Sequence, residues 1–265
     1  MSLKLKRWDP SVVQGDKTIL VIGKRGSGKS VAVADLMYNQ RKCIPAAVVF
    51  SGTEESNGYF GQYIPKEYLY SEYDTNTVNK IVERQKSLIK QKRPSPTMLI
   101  LDDVAYDKGF FKDKLFRYIM LNGRHVKLFT IVTQQYSLDT PPYARSNFDY
   151  VICFRDPILS NRERLYKQFF GIFPNFNAFQ DVFAACTENF ECLVIDQTAR
   201  SNKIEDCVFW WKAKLRPPFR FGSDAYWSAA KAIKAKPKPK PSTDEANKKK
   251  PPLKKRPTVQ VKKIL

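Results

Sequence analysis

Between the apolar run Thr18 to Ile22 (TILVI) and a helix-like segment beginning at Val31 (VAVADLMYNQ) stand Gly23, Lys24, Arg25, Gly26, Ser27, Gly28, Lys29 and Ser30. The octet fits GxxxxGK[ST], a phosphate-binding loop that leads from a strand into a helix. Its composition follows from that task. Glycines let backbone N–H groups curl around phosphate oxygens, and the helix N-terminus adds the positive end of its dipole. Lys29 is expected to reach the β- and γ-oxygens, Ser30 to place its hydroxyl on Mg²⁺, and Gly28 to keep the backbone close to a nucleotide.

The rest of the chain has a matching rhythm. Short apolar runs recur at Ala46 to Phe50, Met98 to Leu101, Leu128 to Val132 and Tyr150 to Phe154, each short enough for a buried strand. Residues 77–91 place Val78, Ile81, Val82, Leu88 and Ile89 near helical spacing among charges, which predicts an amphipathic helix. After Phe154 come a polar helical stretch (NRERLYKQFF), a Phe-rich segment, and strand-like runs at Glu191 to Ile195 and Cys207 to Trp211. Alternation of this kind predicts an α/β fold: a mostly parallel sheet covered on both faces.

The third run ends in acid. MLILDDV puts Asp102 and Asp103 at the end of a buried strand, the form of a Walker B segment, in which the first acid orients Mg²⁺ and the second positions the attacking water. Asp103 is one methylene shorter than the Glu usual at the second position. No NKxD-type guanine reader is present, so ATP is expected rather than GTP.

Composition sets the outer bounds. A hydrophobic share of 43%, with 18 Phe, 13 Tyr and 4 Trp, excludes wholesale disorder. Residues 231–265 supply +11 of the formal net charge of +20. Their text, KAKPKPKPSTDEANKKKPPLKKRP, can bury almost nothing, so we expect a globular domain over residues 1–233 and a disordered Lys/Pro-rich tail over 234–265. The tail's composition suits a DNA tether, a docking strip for an acidic partner, or a nuclear import signal alike. No run of about 18 apolar residues is present, so no integral membrane segment is expected. Five cysteines without CxxC spacing read as reduced thiols.

Asn122-Gly123-Arg124-His125 followed by VKLFTIVTQQYS resembles the stretch that FtsK/HerA-type DNA pumps carry between the Walker B strand and the next one. With Ser51-Gly52-Thr53 closing the second strand, the chain is similar to the poxvirus-type DNA-packaging ATPases of nucleocytoplasmic large DNA viruses. The resemblance covers about residues 18–155. It implies a RecA-like P-loop NTPase core assembled as a homo-oligomeric ring that threads double-stranded DNA. It also implies that Gln134 acts as the γ-phosphate sensor and that Arg124 reaches a neighbouring subunit's γ-phosphate as a finger, a role for which Arg145 and Arg155 are alternatives. His125, the only histidine, is read as a packing or hydrogen-bonding residue.

The expectation is therefore an ATPase with ATP and Mg²⁺ as cofactors, translocating viral genomic DNA into a particle and docked there by a capsid or viral membrane partner. It would act in the cytoplasmic viral factory or the nucleus of an infected host cell, or associated with the virion. Two other readings fit the motif: a P-loop nucleotide or nucleoside kinase, and a basic nucleic-acid-binding virion assembly protein with an ATP site. Residues 83–92 and 107–117 are the candidate phosphate-backbone contacts on DNA, although either could be an ordinary solvated face.

Overall fold

The computed structural model describes residues 3–104, 109–136 and 140–235. Eight strands form one sheet: β1 (Thr18–Ile22), β2 (Ala47–Ser51), β3 (Leu69–Tyr70), β4 (Thr97–Asp102), β5 (Leu128–Gln134), β6 (Tyr150–Phe154), β7 (Glu191–Asp196) and β8 (Val208–Lys212). The helices are α1 (Lys29–Gln40), α2 (Glu54–Asn57), α3 (Thr75–Lys90), α4 (Lys114–Asn122), α5 (Pro142–Arg145), α6 (Leu159–Phe169), α7 (Phe176–Ala185), α8 (Ile204–Cys207) and α9 (Asp224–Ala235). Strand order is β3-β2-β4-β5-β1-β6-β7-β8. The first six in that order run parallel, β7 adds antiparallel to β6, and β8 adds antiparallel to β7.

Strands whose two faces are both covered must be apolar throughout, and β1, β2, β4, β5 and β6 are buried at every position. Alternate side chains serve opposite layers. Leu20, Ile22, Leu99, Leu101 and Val132 pack with Val78 and Val82 of α3, Phe116 and Ile119 of α4, Leu165 of α6 and Phe179 of α7. On the other face Ile19, Val21, Met98, Ile100 and Ile131 pack with Val33, Leu36 and Met37 of α1 and Tyr226 of α9. The mostly parallel sheet flanked by helices is thus the fold read from the sequence. The seven anticipated strands are present with ends moved by at most two residues, whereas β3, two residues at the sheet edge, has no counterpart among the expectations.

Local chemistry starts the helices. The Asp74 carboxylate accepts from the N–H groups of Asn76 and Thr77 and opens α3; Asp113 accepts from Phe116 N–H and opens α4; Asn175 does the same for α7 through Ala178. Part of the segment 107–117, read as a basic surface, is therefore structural. Phe110 and Phe116 are buried, Asp113 is a cap, and Lys112, Lys114 and Arg117 remain exposed, while residues 107 and 108 lie outside the described chain. After β8 the chain returns across α1, where buried Asp35 accepts from Lys214 N–H at 2.7 Å and Arg216 Nε at 2.8 Å. The boundary expected after residue 233 falls in the last turn of α9, and the expected tail beyond Ala235 lies outside the described residues. All five cysteines are unpaired; Cys153, Cys192 and Cys207 are buried.

Buried Gln85 on α3 ties together the end of the sheet at which β4 and β5 begin. Its Nε2 donates to the carbonyls of Ser95 at 2.8 Å and Val126 at 3.2 Å, and its Oε1 accepts from Thr97 Oγ1 at 3.1 Å. Gln85→Leu keeps the volume and strands those groups, so it is expected to lower stability by about 1–3 kcal/mol in urea denaturation.

Candidate active site

Parallel strands end together, so the carboxyl ends of β1, β2, β4 and β5 bring the phosphate loop, Asp102, Asp103 and Gln134 to one edge. Gly23 leaves β1 with its N–H on the Gln134 carbonyl at 3.0 Å. A Cβ there would lie 2.5 Å from Ser27 Oγ and 2.8 Å from Phe154 Cβ, so only glycine fits. Gly26 (φ 77°) and Gly28 (φ 105°) supply the left-handed turns that carry the loop into α1. Arg25 and Gly26 are exposed, Lys24 and Ser27 half-buried, and Ser30 lies in the first turn of α1. The amides opening α1 have no carbonyl one turn earlier to bond, which leaves them directed at an incoming anion.

Lys29 is only 7% exposed. Its ammonium folds back over the loop, donating to the carbonyls of Gly23 at 2.8 Å and Lys24 at 3.4 Å, with Asp103 Oδ2 3.8 Å away. The loop is held closed on its own charge, and a phosphate entering there would meet a cation already in position.

Asp102 is buried and bracketed by hydroxyls: Ser51 Oγ donates at 2.8 Å from β2 and Thr133 Oγ1 at 2.7 Å from β5. Burial pushes its pKa above the ordinary carboxylate value; the two hydroxyls and Lys29 pull the other way, and neighbouring Asp103 adds to the rise. Asp103 sits in the left-handed region (φ 51°), its N–H donating to Thr133 Oγ1 at 3.0 Å and its Oδ2 facing Gln135 Nε2 at 3.4 Å. Gln134, 3% exposed, accepts from Thr140 Oγ1 at 2.8 Å through Oε1.

Among the described residues five buried side-chain atoms lack a hydrogen-bond partner, and three of them, Ser27 Oγ, Asp103 Oδ1 and Gln134 Nε2, belong to residues around this loop. Buried polar atoms are rarely left unpaired, so their gathering here marks a place prepared for a polar occupant. A donor (Gln134 Nε2), an acceptor (Asp103 Oδ1) and a hydroxyl that is either suit an anion with water beside it.

The arginines separate into two ends. β5 runs from Leu128 to Gln134, so Arg124, exposed in the turn before it, lies about 20 Å from the loop at the far end of the sheet. It has no path to its own chain's phosphate loop. Arg145, before β6, is also at that far end, whereas exposed Arg155 follows Phe154 at the loop end. His125 is exposed beside Arg124. On α3 Arg84 and Lys90 are exposed, as is Lys92 just beyond it, while Lys86 pairs with Glu83 at 2.9 Å.

Ser51, Thr133 and Thr140 are the residues whose roles sequence reasoning missed. Ser51 and Thr133 stand at the ends of apolar runs, where a hydroxyl carries no mark of its partner, and Thr140, six residues beyond Gln134, gave no signal. Asp156 is a fourth: it lies 3.7 Å from Lys24 Nζ and accepts from Ile158 N–H and Asn161 Nδ2, fixing the loop after β6.

Asp102→Asn tests the cost of this charge. A raised carboxyl pKa means that the fold disfavours the ionised form, a penalty present in full above the folded pKa and gone below the unfolded one. The variant is therefore expected to melt higher than the native chain at pH 7. The difference should shrink as the pH falls toward the ordinary carboxylate value, as followed by thermal denaturation.

No protein-family model matches the chain. It is 37% identical over 222 residues to protein 088R of Invertebrate iridescent virus 3, covering 82% of this chain and 84% of that one. It is 35% identical over 230 residues to protein L437 of Acanthamoeba polyphaga mimivirus, covering 83% and 80%. Among solved structures, the genome packaging NTPase B204 of Sulfolobus turreted icosahedral virus 2, in complex with ATP-gammaS, superposes with a TM-score of 0.53 at 19% identity over 78% of this chain and all of that one. The conjugation coupling protein TcpA of pCW3 gives 0.53 at 13% identity over 83% and 65%. At such identities the structural likeness is one of fold. With two viral relatives above 30% identity along most of both chains, the chain belongs to a protein family shared by Invertebrate iridescent virus 3 and Acanthamoeba polyphaga mimivirus, and its fold is that of a viral genome packaging NTPase.

Proposed function

We propose that the chain is an ATP-driven motor that moves double-stranded viral DNA into a particle, working as a ring of identical subunits. The observation that carries the nucleotide half of this reading is the set of unpartnered buried atoms, Ser27 Oγ, Asp103 Oδ1 and Gln134 Nε2, grouped around a loop that already holds a lysine ammonium.

In this reading Lys29 shifts from the Gly23 and Lys24 carbonyls to the β- and γ-phosphate oxygens of ATP, while the loop amides cradle the same groups. Ser30 and Asp102 would hold magnesium. Magnesium, when bound, screens the charge on the transferring phosphoryl group. Asp103 Oδ1 accepts a hydrogen bond from the attacking water and orients it in line. Gln134 Nε2 donates to the γ-phosphate and loses that partner on hydrolysis, while Thr140 keeps its oxygen in place. Arg124, remote from its own loop, acts on the γ-phosphate of a neighbouring copy, where a planar cation stabilises charge that grows in the transition state.

The DNA half rests on charge, family and fold. A surplus of +9 outside residues 231–265 suits a polyanion, and contacts to phosphates carry no sequence preference, as a motor moving over any sequence requires. Among the described residues no helix is long and apolar enough to cross a membrane, so attachment to a viral membrane would go through a partner. We place the site of action in the cytoplasmic viral factory or nucleus of the infected cell.

ATP turnover measured with and without double-stranded DNA tests the proposal. Native protein is expected to be stimulated by DNA, Lys29→Ala to lose about 100-fold or more in turnover, and Arg124→Ala to depress native subunits beyond simple dilution when the two are mixed. Turnover indifferent to DNA, with native subunits untouched by the Arg124 variant, would defeat the motor reading. Phosphate transfer to added nucleosides would replace it with a kinase. A chain truncated after residue 233 is expected to bind DNA with a shallower salt dependence if the tail tethers DNA.

A further inference from the structure

All eighteen phenylalanines fall within the described residues, and one of them, Phe190, is exposed, at 66%. It stands on the turn that enters β7, where Glu191 N–H closes on the Glu188 carbonyl at 2.8 Å. Asn189 (φ 49°) and Phe190 (φ 63°) both occupy the left-handed region, which is uncommon for side chains other than glycine and least suited to a bulky one. Among the described residues Phe190 is the aromatic side chain most open to water, and the described chain leaves most of the ring uncovered. The ring is also close to the phosphate loop. A Cβ built on Gly28 would lie 3.6 Å from Phe190 Cδ1 and 3.4 Å from Phe154 Cε1, so both rings flank the start of α1.

Sheet order gives this position its meaning. The groups suited to a γ-phosphate, Asp102, Asp103 and Gln134, belong to the ends of β4 and β5 on one flank of β1, whereas β6 and β7 lie on the other flank. A nucleotide with its γ end among those groups must direct its α-phosphate and nucleoside toward β6 and β7. Phe154, 2% exposed, has no face to offer; Phe190 does.

We propose that Phe190 is the platform on which the nucleotide base stacks. The inference rests on the nucleotide reading of the preceding section and adds to it the residue that holds the base. A phenyl face meets a flat purine through apolar contact and π stacking, and it reads no base edge. Phe190 therefore contributes affinity for adenine and guanine alike and does not itself select ATP.

Titration calorimetry with the full chain separates the base from the phosphates, using a non-hydrolysable ATP analogue and inorganic tripolyphosphate as the two probes. Phe190→Ala is expected to bind the analogue about tenfold more weakly, to bind tripolyphosphate as the native chain does, and to lose a guanine analogue in the same proportion. Phe190→Tyr should retain native affinity. Phe190→Gly removes the ring while relieving the left-handed backbone, so it should show the same selective loss as alanine. Equal weakening of both probes would make Phe190 a shaper of the loop and overturn the proposal, as would unchanged affinity for the analogue. Altered sedimentation with unchanged nucleotide affinity would assign the ring to subunit packing and overturn it too. A native chain that binds neither probe would defeat the nucleotide reading itself, an outcome distinct from native binding with indifferent Phe190 variants.

Discussion

The register that sets Ser51, Asp102 and Thr133 side by side across β2, β4 and β5 is the constraint on which the rest of the site depends. A carboxylate at the end of a buried strand is unfavourable unless its oxygens are hydrogen-bonded, and here each oxygen takes a hydroxyl from a different neighbouring strand. A slip of one residue in either pairing would turn the hydroxyl to the opposite face and leave the acid buried against aliphatic side chains. Thr133 carries a second duty. The oxygen whose proton goes to Asp102 also receives the Asp103 N–H, so one side chain fixes both acids relative to β5. The next residue of β5, Gln134, pairs with the last residue of β1 and accepts the Gly23 N–H on its carbonyl, which connects the acids to the phosphate loop through backbone alone.

That arrangement explains what could be read from sequence. The loop from Gly23 to Ser30 and the acids after MLIL were legible because each is a local pattern: glycines where the backbone must turn left-handed, and charge directly after an unbroken apolar run. Ser51 and Thr133 were not, because a hydroxyl at a strand end acquires its role only from the strand beside it. Leu69–Tyr70 is too short to leave any periodicity. The segment 107–117 read as basic surface because its four basic residues outnumber its two acids, yet Phe110 and Phe116 are the residues that fix it to the core. Phe190 falls between the Phe-rich segment and the run that begins at Glu191, and the Asn–Phe pair in the left-handed region carries no sequence signal that distinguishes it from an ordinary turn.

Position along β5 also relates two residues that the sequence presents only as near neighbours. Arg124 precedes the fully buried seven-residue strand and Gln134 is its last residue, so the length of the strand separates them. Gln85, bonded to the Val126 carbonyl, holds the turn bearing Arg124 against α3. The turn is thus part of the rigid sheet assembly, and any neighbour it meets is met by the body of the domain.

Asp103 shows how backbone shape can govern a side chain's identity. Its left-handed conformation is one that Asp and Asn accept more readily than longer or branched residues, because a short polar side chain satisfies itself locally. Aspartate and glutamate codons differ only in the third base, so a lineage carrying this turn samples glutamate continually. Mutational access therefore does not account for the shorter acid. The turn at the end of β4 acts as a filter on drift, weighting this position toward aspartate without closing it, since Lys92, Lys127 and Phe190 take the same backbone region with longer side chains.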